Sequence, residues 1–162
     1  MKTYKPTESD PYKLEVNGFV KVNEKCFLDW PDTPERPRIV NLGPRDLSDL
    51  TIIMPVRERT FTLIRALDYY CGFLKLGLNI VIVDSSETPS PYWPVIEKQI
   101  ERRYPEYASC VRYTHTPGVI LYKALQTGAK MADTKYVIDI PDDDLLFLPS
   151  ASKFLDYLDK ND

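Results

Sequence analysis

Histidine is nearly absent from this chain, with His115 the single example among 162 residues. With one histidine and no serine or cysteine in a nucleophile-elbow context, a hydrolase triad has little support. The three cysteines, Cys26, Cys71 and Cys110, are widely spaced and odd in number. They form no CxxC or Cys/His spacing, which argues against a zinc site and against a disulfide framework. Cys71 falls in a helical pattern and Cys110 in a strand pattern, so both read as small buried thiols. Glycine is scarce, at six residues, and no GxGxxG or P-loop pattern occurs, which weakens dinucleotide and nucleoside-triphosphate readings. No apolar run is long enough to span a membrane, and the polar start of the chain lacks the core of a signal peptide. A net charge of −3 gives no electrostatic case for nucleic acid or an anionic lipid surface. The expected setting is reducing and cytoplasmic, or membrane-peripheral for a longer form of the chain.

Proline is the residue in excess. Six of its 14 copies precede Asp46, which predicts a loop-rich extension over residues 1–48. Within it Leu14, Val16, Val20 and Val22 alternate around Asn17-Gly18, a hairpin signal. From residue 49 onward the pattern becomes regular. Thr51-Ile52-Ile53-Met54 reads as a strand buried on both faces and ended by Pro55. Thr60 offers an N-cap for a helix carrying Leu63, Ala66, Leu67, Tyr70, Cys71 and Leu74, closed by Gly77. Asn79 to Val83 is a second strand, stopping at Asp84. Ser90-Pro91 opens a helix with Val95, Ile96, Ile100 and Tyr104 on one face. A third strand follows at Cys110 to Tyr113, then a helix through Leu121, Ala124, Leu125, Gly128 and Ala132. A fourth strand spans Tyr136 to Ile140, and Ser150 starts a last helix with Phe154, Leu155 and Leu158. Four strand–helix alternations predict an α/β fold with a mostly parallel sheet and flanking helices. In such sheets ligands bind beyond the carboxyl ends of the strands.

Charged residues collect at that predicted rim. Pro55-Val56-Arg57-Glu58-Arg59 follows the first strand, Asp84-Ser85-Ser86-Glu87 the second, and Pro141-Asp142-Asp143-Asp144 the fourth. Three adjacent carboxylates repel one another, and a hard cation such as Mg²⁺ or Mn²⁺ with phosphate oxygens would relieve them. In an extended turn Asp142 and Asp144 face the ligand together and Asp143 points away. The alternative is a solvated acidic turn leading to the helix at Ser150. Asp84 can accept from a ribose hydroxyl or a base N–H, or form an Asx-turn at the strand end. Arg57 and Arg59 suit phosphate and Glu58 a base, or all three are ordinary loop charges. His115 reads as a loop residue, and Trp30 and Trp93 as packing residues.

In this order, the pieces resemble the family 2 glycosyltransferases of GT-A fold, over about residues 49 to 160. The resemblance rests on Ile53-Met54-Pro55-Val56-Arg57-Glu58-Arg59, on Val83-Asp84, and on Ala132 to Ile138 leading to Asp142-Asp143-Asp144 and Leu148-Pro149-Ser150-Ala151. Departures from the family pattern are Glu58 where many members have Asn, Ser85-Ser86 for an acidic-Gly step, and Leu125 and Gln126 for a basic residue and Asn. The resemblance implies a Rossmann-like nucleotide-diphospho-sugar-binding domain over residues 49–162, with Pro55, Arg57, Glu58, Asp84, Asp142 and Asp143 on the nucleotide sugar. It also implies Asp142 and Asp144 as ligands of Mn²⁺ or Mg²⁺. The activity it implies is transfer, with inversion, from a nucleoside-diphosphate sugar, a UDP-sugar first, to a glycan or other hydroxyl acceptor. The acceptor-binding half and the catalytic base are expected outside these residues, so the chain is expected to bind donor, transfer poorly and self-associate. Two other readings stay open: a non-catalytic nucleotide-sugar-binding or interaction module, and a nucleotidyltransferase on a similar sheet.

Overall fold

A computed structural model describes residues 46–161. The expected hairpin around Asn17-Gly18, Cys26, Trp30 and nearly all of the expected extension lie outside them. The described chain runs β1 (Leu50–Val56), α1 (Thr60–Tyr70), β2 (Asn79–Asp84), α2 (Trp93–Arg103), β3 (Val111–His115), α3 (Leu121–Met131), β4 (Tyr136–Asp139) and α4 (Leu148–Asn161). The strands form one sheet in the order β3-β2-β1-β4, and every pairing is parallel. The α/β architecture read from the sequence is therefore observed. Chain order moves outward from β1 to β2 to β3 and then returns to the other side of β1, so the topological switch point lies between β1 and β4.

Burial follows the composition of the strands. The two inner strands, β1 and β2, are β-branched and apolar and are covered on both faces, with Ile52, Met54, Ile80, Val81, Ile82 and Val83 all within 3% of full burial. Val81 and Val83 pack with Ala124 of α3, and Val119 and Met131 join them. On β1 the same face presents Ile53, the register partner of Val81. A Cβ on Gly128 would stand 2.3 Å from Ile53 Cγ2. Small residues at 124 and 128, one turn apart, thus let α3 lie close on the sheet. Leu121, by contrast, is exposed and Leu125 half-buried. The edge strand β4 alternates half-buried and exposed residues, as a strand with one covered face should.

Several boundaries differ from the sequence reading. β1 does not stop at Met54 but continues through Pro55 to Val56. The Ile53 carbonyl accepts from the Ile140 N–H at 3.0 Å, and the Val56 carbonyl accepts from Ser85 at 2.8 Å. Odd residues of β1 therefore direct their peptide groups to β4 and even ones to β2. Pro55, which has no N–H, faces the β4 side just past the last pair, Ile53 with Asp139, so no ladder bond is lost. Thr60 is the first residue of α1, not its cap; Arg59 holds the cap position without a side-chain capping bond. After Tyr70 the helix tightens into a 3₁₀ turn over Cys71–Leu76, and Gly77 ends it at φ +87°. There a Cβ would meet the Ser48 backbone at 2.8 Å, so glycine is required on both counts. α2 starts at Trp93, with Pro94 in its first turn rather than Pro91. Its inner face is Trp93, Ile96 and Ile100, and Val95 is exposed. Cys110 lies in a short 3₁₀ turn before β3. Cys71 is sealed in the core, where burial pushes its thiol up to about 12. In α4, Leu148, Ala151, Ser152 and Leu155 face inward and Phe154 outward.

Candidate functional site

Because all four strands are parallel, the loops after β1, β2 and β4 emerge on one rim. Continuing the β1–β4 register two residues past Ile53 and Asp139 would set Pro55 opposite Pro141. The even residues of β4 bond to β1, as Ile140 does to Ile53, and Pro55 has no N–H to offer the Ile140 carbonyl, so the ladder ends in a fork at the switch point. The acidic run begins immediately beyond that fork.

On one side, the β1 and β2 loops are tied together through Glu58. This residue sits at φ +55°, a left-handed backbone that costs a non-glycine residue about 1–2 kcal/mol. Two bonds hold it there. Its N–H donates to Ser86 Oγ at 2.8 Å, and its Oε1 accepts from the Glu87 N–H at 2.9 Å. Arg57 reaches Glu87 at 3.7 Å in an exposed pair, worth little in water. Sequence reasoning placed Arg57 and Glu58 on the rim and missed Ser86 as the link.

Asp84 is the hub of the second loop. At 1% exposure its carboxylate accepts from the Ser86 N–H at 2.9 Å and from the Ser90 N–H at 3.2 Å. The Tyr113 hydroxyl donates to it at 2.6 Å, and the Ser86 hydroxyl adds a fourth bond. Burial alone would raise this carboxyl, but the four donors outweigh it and hold it below the ordinary Asp value. The Ser86 bond closes an Asx-turn, the alternative that the sequence left open. A carboxylate offers about four acceptor sites, so Asp84 is saturated by its own loops. Tyr113 in turn stacks on Trp93, with ring centroids 4.4 Å apart and planes at 11°; burial, then Asp84, raises its phenol. The expectation that Trp93 is a packing residue holds. His115 Nε2 lies 2.9 Å from the Ser86 carbonyl, which makes the lone histidine a brace for this loop.

On the other side of the fork stands the acidic run. The Asp144 N–H bonds to the Pro141 carbonyl at 3.1 Å, so the run is a hydrogen-bonded turn rather than an extended one. Strict alternation does not apply within such a turn. Asp142 and Asp143 both approach Arg59, whose NH1 lies 2.7 Å from Asp143 and 3.9 Å from Asp142. Asp142 is buried, while Asp143 and Asp144 are exposed. The Thr62 hydroxyl, in the first turn of α1, contacts both the Arg59 carbonyl at 2.9 Å and an Asp142 oxygen. No acidic residue of α1 itself occupies that first turn, so Asp142 supplies the negative charge that a helix N-terminus favours. Burial still raises its carboxyl; Thr62 and Arg59 oppose this, and Asp143 adds to it. The turn's repulsion is thus relieved within the fold by Arg59 and α1, a source that the spacing did not reveal.

α1 also pins the chain after the turn. The Leu146 N–H donates to Tyr70 Oη at 2.7 Å, and the Leu146 carbonyl accepts from Tyr69 at 3.1 Å. One helix therefore holds residues 142–146 at both ends. Among the described residues, the Asp144 carboxylate takes no hydrogen bond or ion pair, and no group of three or more His, Cys, Asp or Glu forms a metal cage. The donors on offer are carboxylate oxygens of Asp142 and Asp144. Such a set fits a hard divalent cation in the way these ions bind beside phosphate, with one or two carboxylates and the remaining positions filled by phosphate oxygens and water.

An open parallel sheet with its switch point between β1 and β4 defines a Rossmann-like α/β domain. No protein-family model matches the sequence, and no curated protein matches it. Solved structures do share the fold. S. aureus TarS, residues 1–349, superposes with a TM-score of 0.53 at 17% identity, covering 69% of this chain and 32% of that one. The mannosyltransferase PcManGT from Pyrobaculum calidifontis, solved in complex with GDP-Man and Mn²⁺, superposes with a TM-score of 0.54 at 22% identity, covering 81% of this chain and 37% of that one. The chain therefore shares the Rossmann-like fold of these neighbours and spans about a third of their length. Among the described residues, no helix is long and apolar enough to cross a membrane.

Proposed function

We infer that this chain carries the donor site of a glycosyltransferase and binds a nucleoside-diphosphate sugar at the fork between β1 and β4. The observation that carries the reading is the meeting, at the switch point, of an acidic turn with a half-exposed arginine from the opposite loop. Charges of both signs at one cleft suit a diphosphate, whose oxygens can take a guanidinium directly and a carboxylate only through a cation. The fold shared with a mannosyltransferase solved with GDP-Man and Mn²⁺ supports the same ligand class.

Glu58, with Arg57 and Pro55 around it, forms the nucleoside side of the cleft. Asp84 contacts ribose or base by exchanging one of its four present donors and otherwise sets the loop that Glu58 leans on. Asp143 faces the phosphates through Arg59. Asp142 and Asp144 hold Mn²⁺ or Mg²⁺, which when bound neutralises charge on the departing diphosphate. The reaction proposed is glycosyl transfer to a hydroxyl with inversion, its general base supplied from outside the residues named here.

Calorimetry with UDP and GDP, each with Mn²⁺ and with chelator, tests the site. Binding should require the ion. Asp144→Ala should remove that requirement and weaken binding by more than the roughly 10- to 100-fold that an outer-shell partner supplies. Because the Asp144 side chain is exposed, the variant keeps its fold. Equal affinity with and without chelator in the wild type would refute the metal role. Turnover of a panel of UDP- and GDP-sugars then separates an enzyme from a binding module.

A further inference from the structure

Arg59 makes the only bridge across the fork that joins the β1 loop to the acidic turn through ionised side chains, among the described residues. Its guanidinium lies 2.7 Å from Asp143 Oδ2 and 3.9 Å from Asp142 Oδ1, and its side chain is 54% exposed. It occupies the cap position of α1 yet makes no capping bond. Its described side-chain partners are these two carboxylates alone. The acidic turn therefore already holds a positive charge of the chain's own, on a side chain that solvent and ligands can reach. An arginine in this position and a divalent cation both draw on Asp142. They do not need the same ligand chemistry, however, because a guanidinium can leave a carboxylate for a phosphate and keep two parallel hydrogen bonds.

We propose that Arg59 is a resident counter-ion: it closes the acidic turn in the free protein and moves onto the diphosphate when nucleotide and a divalent cation arrive together. This rests on the reading of the cleft as a nucleoside-diphosphate site. Each arriving charge then frees a partner for the other. Asp142, released by Arg59, becomes available to the cation beside Asp144, and the guanidinium released by the carboxylates becomes available to phosphate. The two ligands are coupled through one side chain, and such coupling is reciprocal: diphosphate tightens the ion as much as the ion tightens diphosphate. The exchange is easy because a half-exposed ion pair shifts an equilibrium by only about fivefold or less.

The test uses Mn²⁺ alone, followed by electron paramagnetic resonance of the free ion, and UDP or GDP at saturating Mn²⁺, followed by calorimetry. In Arg59→Gln, Mn²⁺ alone should bind about fivefold tighter than in the wild type, while diphosphate at saturating Mn²⁺ should bind several-fold weaker. Opposite signs in the two readouts are the signature, since a merely structural arginine would weaken both. Arg59→Lys keeps the charge without the fork; it should leave Mn²⁺ near the wild-type value and still weaken diphosphate. Thermal melting of both variants should match the wild type within a few degrees. Unchanged or weaker Mn²⁺ binding in Arg59→Gln overturns the proposal, and Mn²⁺-dependent diphosphate binding in the wild type would then leave the reading of the site standing. Failure of every protein to bind Mn²⁺, with or without diphosphate, overturns both.

Discussion

Asp84 is nearly sealed from solvent and still favours its charged form, because four donors converge on it. Its native carboxyl lies below the ordinary value of 3.8, so the unfolded chain takes up its proton first as pH falls. The stabilisation is therefore complete above that ordinary value and is lost as pH drops through the lowered native one. Urea denaturation between pH 3 and 7 should show an acid limb that Asp84→Asn partly flattens. The same variant should lose about 2 kcal/mol at pH 7, because an amide cannot accept on both of its ends. An unaltered limb would mean that the four bonds do not set the charge. Glu58 presents the converse case, a residue held in an unfavourable backbone at φ +55°. Asparagine tolerates that conformation better, and the bond it would lose, to Glu87, is exposed. Glu58→Asn should therefore gain a few tenths of a kcal/mol up to about 1 in denaturant titrations. Weaker nucleoside binding in the same variant would mark strain retained for the ligand.

At the scale of elements, α1 is the organiser of the rim: Arg59, Thr62, Tyr69 and Tyr70 all reach the segment after β4. Tyr70→Phe removes the acceptor of the Leu146 N–H and should cost about 1 kcal/mol. Faster amide exchange confined to residues near Leu146 would locate the effect, and exchange that rises everywhere would argue against a local clamp. Gly128→Ala tests the seat of α3. Alanine is the better helix former by about 1 kcal/mol, yet its methyl would sit 2.3 Å from Ile53 Cγ2. Overpacking of this kind costs about 1–3 kcal/mol, so melting should fall. The order and type of these elements were legible because apolar runs and helical spacing change the sequence directly. Proline positions misled at β1 and α2, since whether a missing N–H matters depends on which neighbour that peptide faces. The acidic turn was legible by composition, but its orientation was not, because one hydrogen bond between Pro141 and Asp144 cancels the alternation of an extended chain. Thr62 and Tyr113 carried no signal. Their partners Asp142 and Asp84 lie 80 and 29 residues away, and only the closed fold brings them together.

Over the whole described molecule, protection should follow the burial of the strands. In native-state hydrogen exchange, amides of Ile52 to Met54 and Ile80 to Val83 should be the slowest, and those of Tyr136 to Asp139, on the half-covered edge, distinctly faster. Uniform exchange across all four strands would show that β4 is locked as firmly as the centre. The proline that ends the β1–β4 ladder bears on how this domain can change. Past the Ile53–Ile140 bond no ladder bond passes between the first and last strands, so that pairing carries no further into the loops that hold Arg59 and the acidic turn. Free energies of substitution should then combine simply: a change at exposed Asp143 or Asp144 and one at Ile52 or Val81 should add within about 0.5 kcal/mol. Restoring the donor at the fork, as in Pro55→Val, should break that independence. A domain built this way can vary the charges on its rim while its sheet, and the selection acting on it, stays the same.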